Sequence, residues 1–398
     1  MGRTLVQINT SCNWDAPGRI AEQIGVSAKK KGWDVYFVHG ARFVRESELK
    51  TIRTQTTKAE LFHYAYNSLL KGEQGLGSTR ATRKLIEELR NIRPDIVHLH
   101  NIHGYYLNYP LLFDYLKEAN IPVVWTLHDC WAFTGHCVYF DMVNCEKWKT
   151  GCYACPQINT YPQSLFRDSS DKEYQRKRRV FGALQKMALV PVSMWMSKLV
   201  QDSFLGRFPT KVIHNGIDLN VFTPTPSKCI DGKYKILGVA SGWGDRKGIT
   251  DFIKLRELLD DQYDITMVGL SEKEARLVPD TIHKMGRTSN LKELVTLYSD
   301  ADVYVNTTYS DNFPTTNLES LACGTPVITY ETGGSPEAID ENTGVVVPYR
   351  DIEKMANAII EMRQRPKSSK ACRERAEEFF NKDKCFDEYL QLYEALLK

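Results

Sequence analysis

The sequence predicts an α/β protein built from two doubly wound domains. Short and nearly continuous apolar runs recur along the chain, and such runs are typical of strands that are buried on both faces of a parallel sheet. Amphipathic stretches with apolar residues at helical spacing lie between these runs, and an alternation of strands and helices indicates α/β architecture. The 398 residues exceed what one hydrophobic core usually serves, so we expect two domains.

Ten apolar runs are predicted to form strands, five in each half of the chain. In the first half they read TLVQINT, DVYFVHG, DIVHLHN, PVVWTLHD and LVPVS. In the second half they read KILGVAS, DITMVG, ADVYVNTT, PVITYE and GVVVP. Helices are predicted for ATRKLIEELRNI, NLKELVTLYSD and DIEKMANAIIEMRQR, because each carries apolar residues at helical spacing.

The alternation pauses in RFPTKVIHNGIDLNVFTPTPSKCIDGKY, where Pro, Gly and Asn cluster. We therefore place the first domain at residues 1–208 and the second at residues 209–376, with a C-terminal helix at residues 377–398 packing back on the first domain. Ligands of open α/β sheets bind outside the carboxyl ends of the strands. We expect the two Rossmann-like domains to face each other across a cleft.

The composition argues against two classes of protein. A net charge of +3 leaves no basic excess of the kind that nucleic-acid-binding proteins carry. No stretch of 18 uncharged apolar residues is present, so no transmembrane segment is expected, and the N-terminus lacks the apolar core of a secretory signal. We expect a cytoplasmic protein.

The basic run KEYQRKRR at residues 172–179 indicates a solvated helical face, with contact to the inner face of an anionic membrane as the alternative.

The stretch DNFPTTNLESLACGTPVI, residues 311–328, carries two acids and a predicted helix start. Asp311 follows a strand, Pro314 suits the first turn of a helix, and Glu319 lies about two turns further on. The amides of Thr315 and Thr316 would then lie at a helix N-terminus, where partial positive charge favours phosphate. The carboxylates of the two acids would accept hydrogen bonds from sugar hydroxyls on either side of that phosphate. Alternatively, Asp311 caps the helix and Glu319 is solvated.

A second stretch, VASGWGDRKGITDFI, offers two cations after a Gly-rich turn. Arg246 and Lys247 would neutralise a departing diphosphate without a metal ion, although such turns are also common as solvated loops. A third stretch, YETGGSPEAID, supplies Gly333 and Gly334 in a loop where backbone could approach a ligand.

Together these residues resemble the retaining glycosyltransferases of family 4, which have the two-domain GT-B fold. The resemblance covers nearly the whole chain and is densest from VIHNGIDLNVF to TGVVVP. The family carries an E-x7-E pair before a Met/Ala-x-G-x-P-V segment, and here Asp311 and Glu319 precede SLACGTPVI. The resemblance implies that Asp311 contacts donor-sugar hydroxyls and Glu319 the nucleotide ribose. It also assigns diphosphate binding to Arg246 and Lys247 and to the amides near Thr315.

Three departures from the family pattern affect the predicted site. The first acid is Asp311 rather than Glu, so it is one methylene shorter. Ser241 and Gly242 stand where the family usually has an Arg, and Arg246 is expected to supply that charge. The N-terminal double-Gly loop is reduced to NWDAPGRIAEQIG, which leaves Gly18 as the predicted loop glycine for donor binding.

His128 ends VVWTL, in the place where the family holds a histidine against the anomeric carbon of the donor. A neutral imidazole there would accept a hydrogen bond from the sugar or orient the attacking hydroxyl. A histidine that merely caps the strand is the alternative. His100 and His103 either line the same cleft or serve as supporting structural residues.

Five of the ten cysteines lie between His128 and Pro156, in a loop at residues 130–156. Cys130 is expected to be a packed thiol. A terminal C-x2-C pair with two further thiols suits a tetrahedral structural zinc, whereas disulfides and unlinked thiols remain alternatives. The predicted zinc ligands are Cys137, Cys145, Cys152 and Cys155. Similar loops occur in family members that resemble polysaccharide and lipopolysaccharide transferases, which makes this loop a candidate wall of the acceptor pocket.

The resulting hypothesis is a retaining glycosyltransferase that needs no metal cofactor for catalysis. It would move a sugar from a UDP- or GDP-sugar, bound by the second domain, to a saccharide or lipid-linked acceptor on the first domain, in cell-surface polysaccharide or lipopolysaccharide biosynthesis. Two alternatives remain open: a nucleotide-sugar epimerase or hydrolase on the same fold, and a sugar-nucleotide binding protein without turnover.

Overall fold

Two parallel sheets organise the chain, one in each of two units. The computed structural model describes residues 2–225 and 232–398, so residues 226–231 of the predicted boundary stretch lie outside the described part. One unit comprises Met1–His214 together with Phe386–Lys398, and the other comprises Asn215–Cys385. The chain thus passes between units after His214 and after Cys385, whereas the sequence places the boundaries at residues 208 and 376.

The sheet of the first unit has six parallel strands in the order β3-β2-β1-β4-β5-β6. This is the Rossmann order, and the winding direction reverses between β1 and β4. Gln7 of β1 lies opposite His98 of β4 in the register. The strands are β1 (Thr4–Asn9), β2 (Asp34–His39), β3 (Lys50–Arg53), β4 (Ile96–Leu99), β5 (Val123–Leu127) and β6 (Met187–Pro191).

Seven helices accompany this sheet among the described residues. Most begin at a polar side chain that accepts a hydrogen bond from the first helical turn, as helix N-termini require; Asn108 does so for Leu111. A π-helical turn, Asn67–Lys71, follows the second helix. The helices are α1 (Ala16–Lys30), α2 (Thr57–Tyr66), α3 (Thr79–Ile92), α4 (Tyr109–Ala119), α5 (Ser170–Phe181), α6 (Met194–Asp202) and the C-terminal α13 (Lys382–Leu396), which enters the first unit at Phe386.

The second unit repeats the same plan with strand order β12-β11-β10-β7-β8-β9. Its reversal point lies between β7 and β10. The strands are β7 (Tyr234–Val239), β8 (Tyr263–Val268), β9 (His283–Met285), β10 (Val303–Asn306), β11 (Val327–Tyr330) and β12 (Gly344–Val347). The helices are α7 (Ile249–Leu258), α8 (Glu272–Ala275), α9 (Leu291–Asp300), α10 (Thr315–Ala322), α11 (Ile352–Gln364) and α12 (Ser369–Phe379).

The predicted α/β fold with two parallel sheets is confirmed, and each of the ten predicted apolar runs overlaps a strand. All five residues of β5 are buried, because helices cover both faces of a parallel sheet. Two strands were not predicted. β3 reads KTIR and β9 reads HKM, and both are edge strands whose side chains are largely exposed, so they carry no apolar run.

The C-terminal helix α13 contributes two tyrosines to the core of the first unit. The Tyr389 hydroxyl lies 3.2 Å from Thr126 Oγ1, and the Tyr393 hydroxyl lies 2.6 Å from His98 Nδ1. All four side chains are buried. The end of the chain therefore packs beside the carboxyl ends of β4 and β5.

Candidate active site

An ion pair occupies the reversal point of the second sheet. Lys247 Nζ donates to Asp311 Oδ2 at 2.7 Å, and Arg246 Nη1 lies 3.6 Å from the same oxygen. Arg246 Nη1 also donates to the carbonyl of Ser310 at 2.6 Å. Lys247 follows β7 and Asp311 follows β10, and these strands are neighbours in the sheet. The pair therefore lies where open α/β sheets bind their ligands.

Two glycines allow the loops around this pair to approach closely. Gly248 has a φ of +70°, and a Cβ there would lie 2.3 Å from the carbonyl oxygen of Thr307. Gly333 has a φ of +52°, and a Cβ there would lie 1.7 Å from the carbonyl oxygen of Asp311. Such positions tolerate only glycine. The three stretches that the sequence singles out in this half of the chain therefore meet at Asp311.

The charges of this pair are set by burial and by each other. Burial lowers the pKa of Lys247 from its ordinary value, while Asp311 opposes that effect. Burial alone would raise the pKa of Asp311, but the Lys247 and Arg246 cations outweigh it and lower the pKa of the carboxyl. The lowered pKa keeps the Asp311 carboxyl ionised at neutral pH. A bound anion would have to draw Lys247 away from Asp311.

Glu319 is a buried acid on α10 and not a solvated helix residue. Its side chain is 5% exposed, and its Oε2 accepts a hydrogen bond of 3.0 Å from the Tyr298 hydroxyl. Pro314 is the N-cap of α10, one position before the predicted first turn, and Asp311 does not cap this helix. Thr315 and Thr316 are the first two helical residues, as expected from the sequence. The contact of Glu319 with Tyr298, on α9, was not predicted, because a tyrosine at helical spacing in a sequence usually indicates a core residue.

In the first unit, His128 follows β5 and contacts a second buried histidine. His128 Nε2 lies 3.1 Å from His100 Nδ1, and His100 Nε2 lies 2.9 Å from Gln7 Oε1. Burial lowers the pKa of His128 to about 4, an effect that Asp129 and Asp15 oppose. The imidazole is therefore neutral at pH 7. His128 is 9% exposed and borders a cavity of about 10 Å³.

His103 forms a second polar pair beside His128. His103 Nε2 lies 2.8 Å from Asp129 Oδ2, and the Trp131 backbone N–H donates to Asp129 Oδ1 at 2.9 Å. The Tyr161 hydroxyl lies 3.1 Å from His103 Nδ1. Burial would raise the pKa of Asp129, but His103 and these hydrogen bonds lower it overall. His100 and His103 both line the cavity at His128.

The prediction that Gly18 lies in a loop is wrong. Gly18 is the third residue of α1, and its backbone N–H donates to Asp15 Oδ1 at 2.8 Å. Asp15 acts as the N-cap and Pro17 occupies the first turn, which is the usual arrangement at a helix start. A Cβ at Gly18 would lie 2.6 Å from Ser11 Oγ, so the glycine serves close packing.

The cysteine loop folds around one small cavity of about 20 Å³. Its lining includes the four predicted ligands Cys137, Cys145, Cys152 and Cys155, together with Trp148 and Phe140. Cys152 Sγ accepts a hydrogen bond of 3.1 Å from the Gly135 backbone N–H. A hydrogen bond from Cys137 lowers the pKa of Cys155 to about 7, while burial opposes that effect.

The nine cysteines in the described part of the chain are all free thiols. Among the described residues, no group of three or more His, Cys, Asp or Glu side chains is arranged to hold a metal ion. Zinc would require the four sulfurs to close to about 2.3 Å from a common point. The zinc site therefore stays a prediction.

Family comparisons cover both units. Residues 18–221 match the model described as Glycosyltransferase Family 4, and residues 226–379 match the model described as Glycosyl transferases group 1. The chain is a family 4 glycosyltransferase. A curated relative of this glycosyltransferase is a protein named as the colanic acid biosynthesis glycosyl transferase WcaC of Escherichia coli strain K12. It is 27% identical over 276 residues, which cover 66% of each chain, just under two thirds of the relative's length.

Solved structures show that the glycosyltransferase has the GT-B fold. A sucrose-phosphate synthase from Thermosynechococcus elongatus superposes with a TM-score of 0.73 at 20% identity over 99% of both chains. Alr3699/HepE from Anabaena, solved in complex with UDP and glucose, superposes with a TM-score of 0.69 at 13% identity over 98% of this chain and 99% of that one. Within its described residues, the glycosyltransferase contains no helix with the length and apolar character needed to cross a bilayer.

Proposed function

We propose that this glycosyltransferase transfers a sugar from a nucleotide-sugar donor to a saccharide or lipid-linked acceptor, with retention of configuration at the anomeric carbon. The observation that carries the proposal is the Lys247–Asp311 ion pair at the reversal point of the second sheet. It places a cation beside an acid, and α10 begins shortly after that acid, at Thr315. These are the groups that a sugar diphosphate requires.

The cations would stabilise the leaving diphosphate. Lys247 Nζ is held only by the Asp311 carboxylate among the hydrogen bonds of the described residues, so a diphosphate can compete for it. The amides of Thr315 and Thr316 at the start of α10 add partial positive charge. Because negative charge grows on the diphosphate as the glycosidic bond breaks, these groups bind the transition state more strongly than the ground state. We propose that they replace a catalytic metal.

The acids would recognise the two sugars of the donor. Once Lys247 turns to the diphosphate, Asp311 can accept hydrogen bonds from hydroxyls of the transferred sugar. Glu319 would accept hydrogen bonds from the ribose hydroxyls, while Tyr298 fixes the orientation of its carboxylate. His128, as a neutral imidazole, would accept a hydrogen bond from a hydroxyl of the donor sugar or of the acceptor.

The choice of substrates rests on the relatives. The name of the Escherichia coli relative refers to colanic acid biosynthesis, and HepE was solved with UDP and glucose. We propose a UDP-sugar as the first donor to test, with GDP-sugars second, and a growing cell-surface polysaccharide or lipopolysaccharide as the acceptor. We propose that the second unit binds the donor and the first unit binds the acceptor, on the cytoplasmic side and with peripheral contact to the membrane. The exposed Lys172, Arg178 and Arg179 of α5 offer charge for that contact.

Incubation with labelled UDP- and GDP-sugars tests the proposal. Transfer should need an acceptor, should survive EDTA, and should give a product whose anomeric configuration by proton NMR matches that of the donor. Lys247→Ala should lower kcat by about 100-fold or more, a loss of transition-state stabilisation larger than its effect on folding stability. Inversion of configuration, or epimerisation or hydrolysis as the main reaction without an acceptor, would contradict the proposal. Binding without any turnover would favour a sugar-nucleotide binding protein.

A further inference from the structure

A continuous hydrogen-bond chain connects the backbone of α1 to the ring of His128. It begins at the carbonyl of Ala21, which accepts from Gln7 Nε2 at 2.7 Å. It continues from Gln7 Oε1 to His100 Nε2 at 2.9 Å and from His100 Nδ1 to His128 Nε2 at 3.1 Å. Gln7 lies on β1, while His100 and His128 follow β4 and β5, so three strands contribute one link each.

The first link fixes the amide of Gln7. A backbone carbonyl can only accept a hydrogen bond, so the amide group that faces Ala21 must be the NH2. The amide oxygen of Gln7 therefore faces His100. An amide oxygen is an acceptor only, so His100 must carry its proton on Nε2.

The next link transfers this constraint to His128. Burial holds the pKa of His100 well below its ordinary value, so its ring is neutral and has one proton. With that proton on Nε2, Nδ1 of His100 can only accept, and His128 must donate to it from Nε2–H. A neutral His128 then presents a lone pair on Nδ1. Within the described residues, no protein group hydrogen-bonds that nitrogen.

The hydrogen-bond chain from Ala21 to His128 is shielded from competing water. Gln7 is fully buried and His100 is 1% exposed. The rings of His100 and His128 stack with centroids 5.4 Å apart, and the Trp125 indole N–H donates to the His100 carbonyl at 2.9 Å. Such a buried, satisfied chain holds its protons in one arrangement, because an inverted proton would leave two acceptors or two donors facing each other.

We infer that Gln7 and His100 are positioning residues that hold His128 in the Nε2–H tautomer, with the Nδ1 lone pair available to accept a hydrogen bond from a substrate hydroxyl. The inference rests on the proposed role of His128 in sugar transfer. Its structural part, the tautomer, is independent of any substrate. Neither Gln7 nor His100 needs to touch the donor or the acceptor to act in this way.

Nitrogen NMR of protein labelled with 15N-histidine tests the tautomer directly. The His128 signals are assigned by their loss in His128→Asn. The wild-type ring should show a protonated Nε2 and an unprotonated Nδ1 at pH 7. A protonated Nδ1 in the wild-type spectrum would overturn the inference, and the tautomer itself is read from the wild-type protein.

Two substitutions of equal length then test the role of Gln7. Gln7→Met removes the fixed acceptor, so His128 should show a mixture of tautomers, and kcat should fall by about tenfold or more while KM for the donor changes less. Gln7→Glu reproduces both contacts only as the neutral acid, whose O–H can donate to the Ala21 carbonyl while its C=O accepts from His100, and this buried site disfavours the charged form. It should then retain the wild-type tautomer and most of the activity. Thr126→Val is the matched control, because Thr126 is equally buried but bonds His98 and Tyr389 outside this chain.

The outcomes separate this inference from the proposed function. If wild-type His128 has the inferred tautomer but the protein transfers no sugar from any donor, the inference about the hydrogen-bond chain stands and the proposed function is contradicted. Sugar transfer together with an unchanged His128 tautomer in Gln7→Met would contradict the positioning role and leave the proposed function standing.

Discussion

At the scale of single residues, the candidate site depends on charged and polar groups that are buried with one specific partner. Lys247 pairs with Asp311, and Glu319 pairs with Tyr298. A buried carboxylate that loses its partners costs more than the net value of the bond, because the remaining group stays desolvated. Single substitutions at these positions should therefore have measurable effects.

Glu319→Ala should weaken nucleotide binding. If Glu319 holds the ribose hydroxyls, its removal leaves polar groups of the ligand unpaired and should cost about 1–3 kcal/mol of binding free energy. Isothermal calorimetry with UDP and GDP measures the change. Tyr298→Phe should have a smaller effect, because the carboxylate stays but loses its orientation. Glu353→Ala, an exposed acid of the same unit, is the control. Unchanged nucleotide affinity in Glu319→Ala would show that Glu319 does not bind the nucleotide.

The buried neutral His128 should make stability depend on pH. Its pKa is lowered to about 4 in the folded protein from 6.5 in the free imidazole, so the unfolded chain binds a proton that the folded protein does not. The free energy of unfolding is therefore unaffected by this group above about pH 6.5. It decreases as the pH falls towards 4, by about 3 kcal/mol in total. Denaturant unfolding should show a smaller decline for His128→Asn over this window. Equal declines in both proteins would contradict this prediction.

At the scale of elements, turns and loops hold the functional groups while the strands provide a rigid base. The turn Asp245–Lys247 ends at Gly248, and the Thr307 hydroxyl bonds the Lys247 carbonyl at 2.9 Å. The cysteine loop has only two 3-10 turns, Asp141–Val143 and Lys147–Lys149, and packs the rings of Phe133, Phe140 and Trp148 against each other. Both elements should be sensitive to changes that leave the sheets intact.

Gly248→Ala should displace Lys247 and lower activity. The φ of +70° strains any residue with a Cβ, and that Cβ would lie 2.3 Å from the Thr307 carbonyl oxygen. We expect a loss of about 1–2 kcal/mol of unfolding free energy, together with a lower kcat. Gly242→Ala is the matched control in the same loop, since nothing lies within 4 Å of a Cβ there. Similar melting temperatures and rates for the two variants would show that the turn adapts.

The cysteine loop should carry zinc if its four thiols act as ligands. Elemental analysis should then find about one equivalent per chain, and Cys152→Ser should release it. Cys372→Ser, a buried cysteine of α12, should leave the metal in place. Acceptor affinity should fall in Cys152→Ser while nucleotide affinity stays nearly unchanged. Protein without metal and with all ten thiols free would leave the loop held by its aromatic rings.

At the scale of the whole molecule, the two units repeat one winding order but differ in what their reversal points carry. The first unit offers neutral imidazoles beside β4 and β5, and the second offers an ion pair beside β7 and β10. A charged nucleotide diphosphate is therefore expected on the second unit, Asn215–Cys385. Neutral hydroxyl groups suit the first.

Nucleotide binding should stabilise the second unit selectively. A nucleotide at about 100 times its Kd should add about 2.7 kcal/mol, which corresponds to a rise in Tm of several degrees for a unit of this size. Differential scanning calorimetry with UDP and with GDP should identify the preferred base. Lys247→Ala should abolish most of the shift. The absence of a shift with either nucleotide at millimolar concentration would contradict donor binding by this unit.

The sequence alone predicted the strands that are buried on both faces of a sheet, because continuous burial selects continuous apolar runs. It also predicted that Asp311, Lys247 and His128 follow strands, where ligands of parallel sheets bind, and the structure places them after β10, β7 and β5. The edge strands β3 and β9 were missed because exposure removes the apolar pattern. Only the tertiary structure decided the partners: Tyr298 with Glu319, and Gln7 with His100. Gln7 and His100 are 93 positions apart, and a hydrogen bond between them depends on strand order and register, which no local pattern encodes.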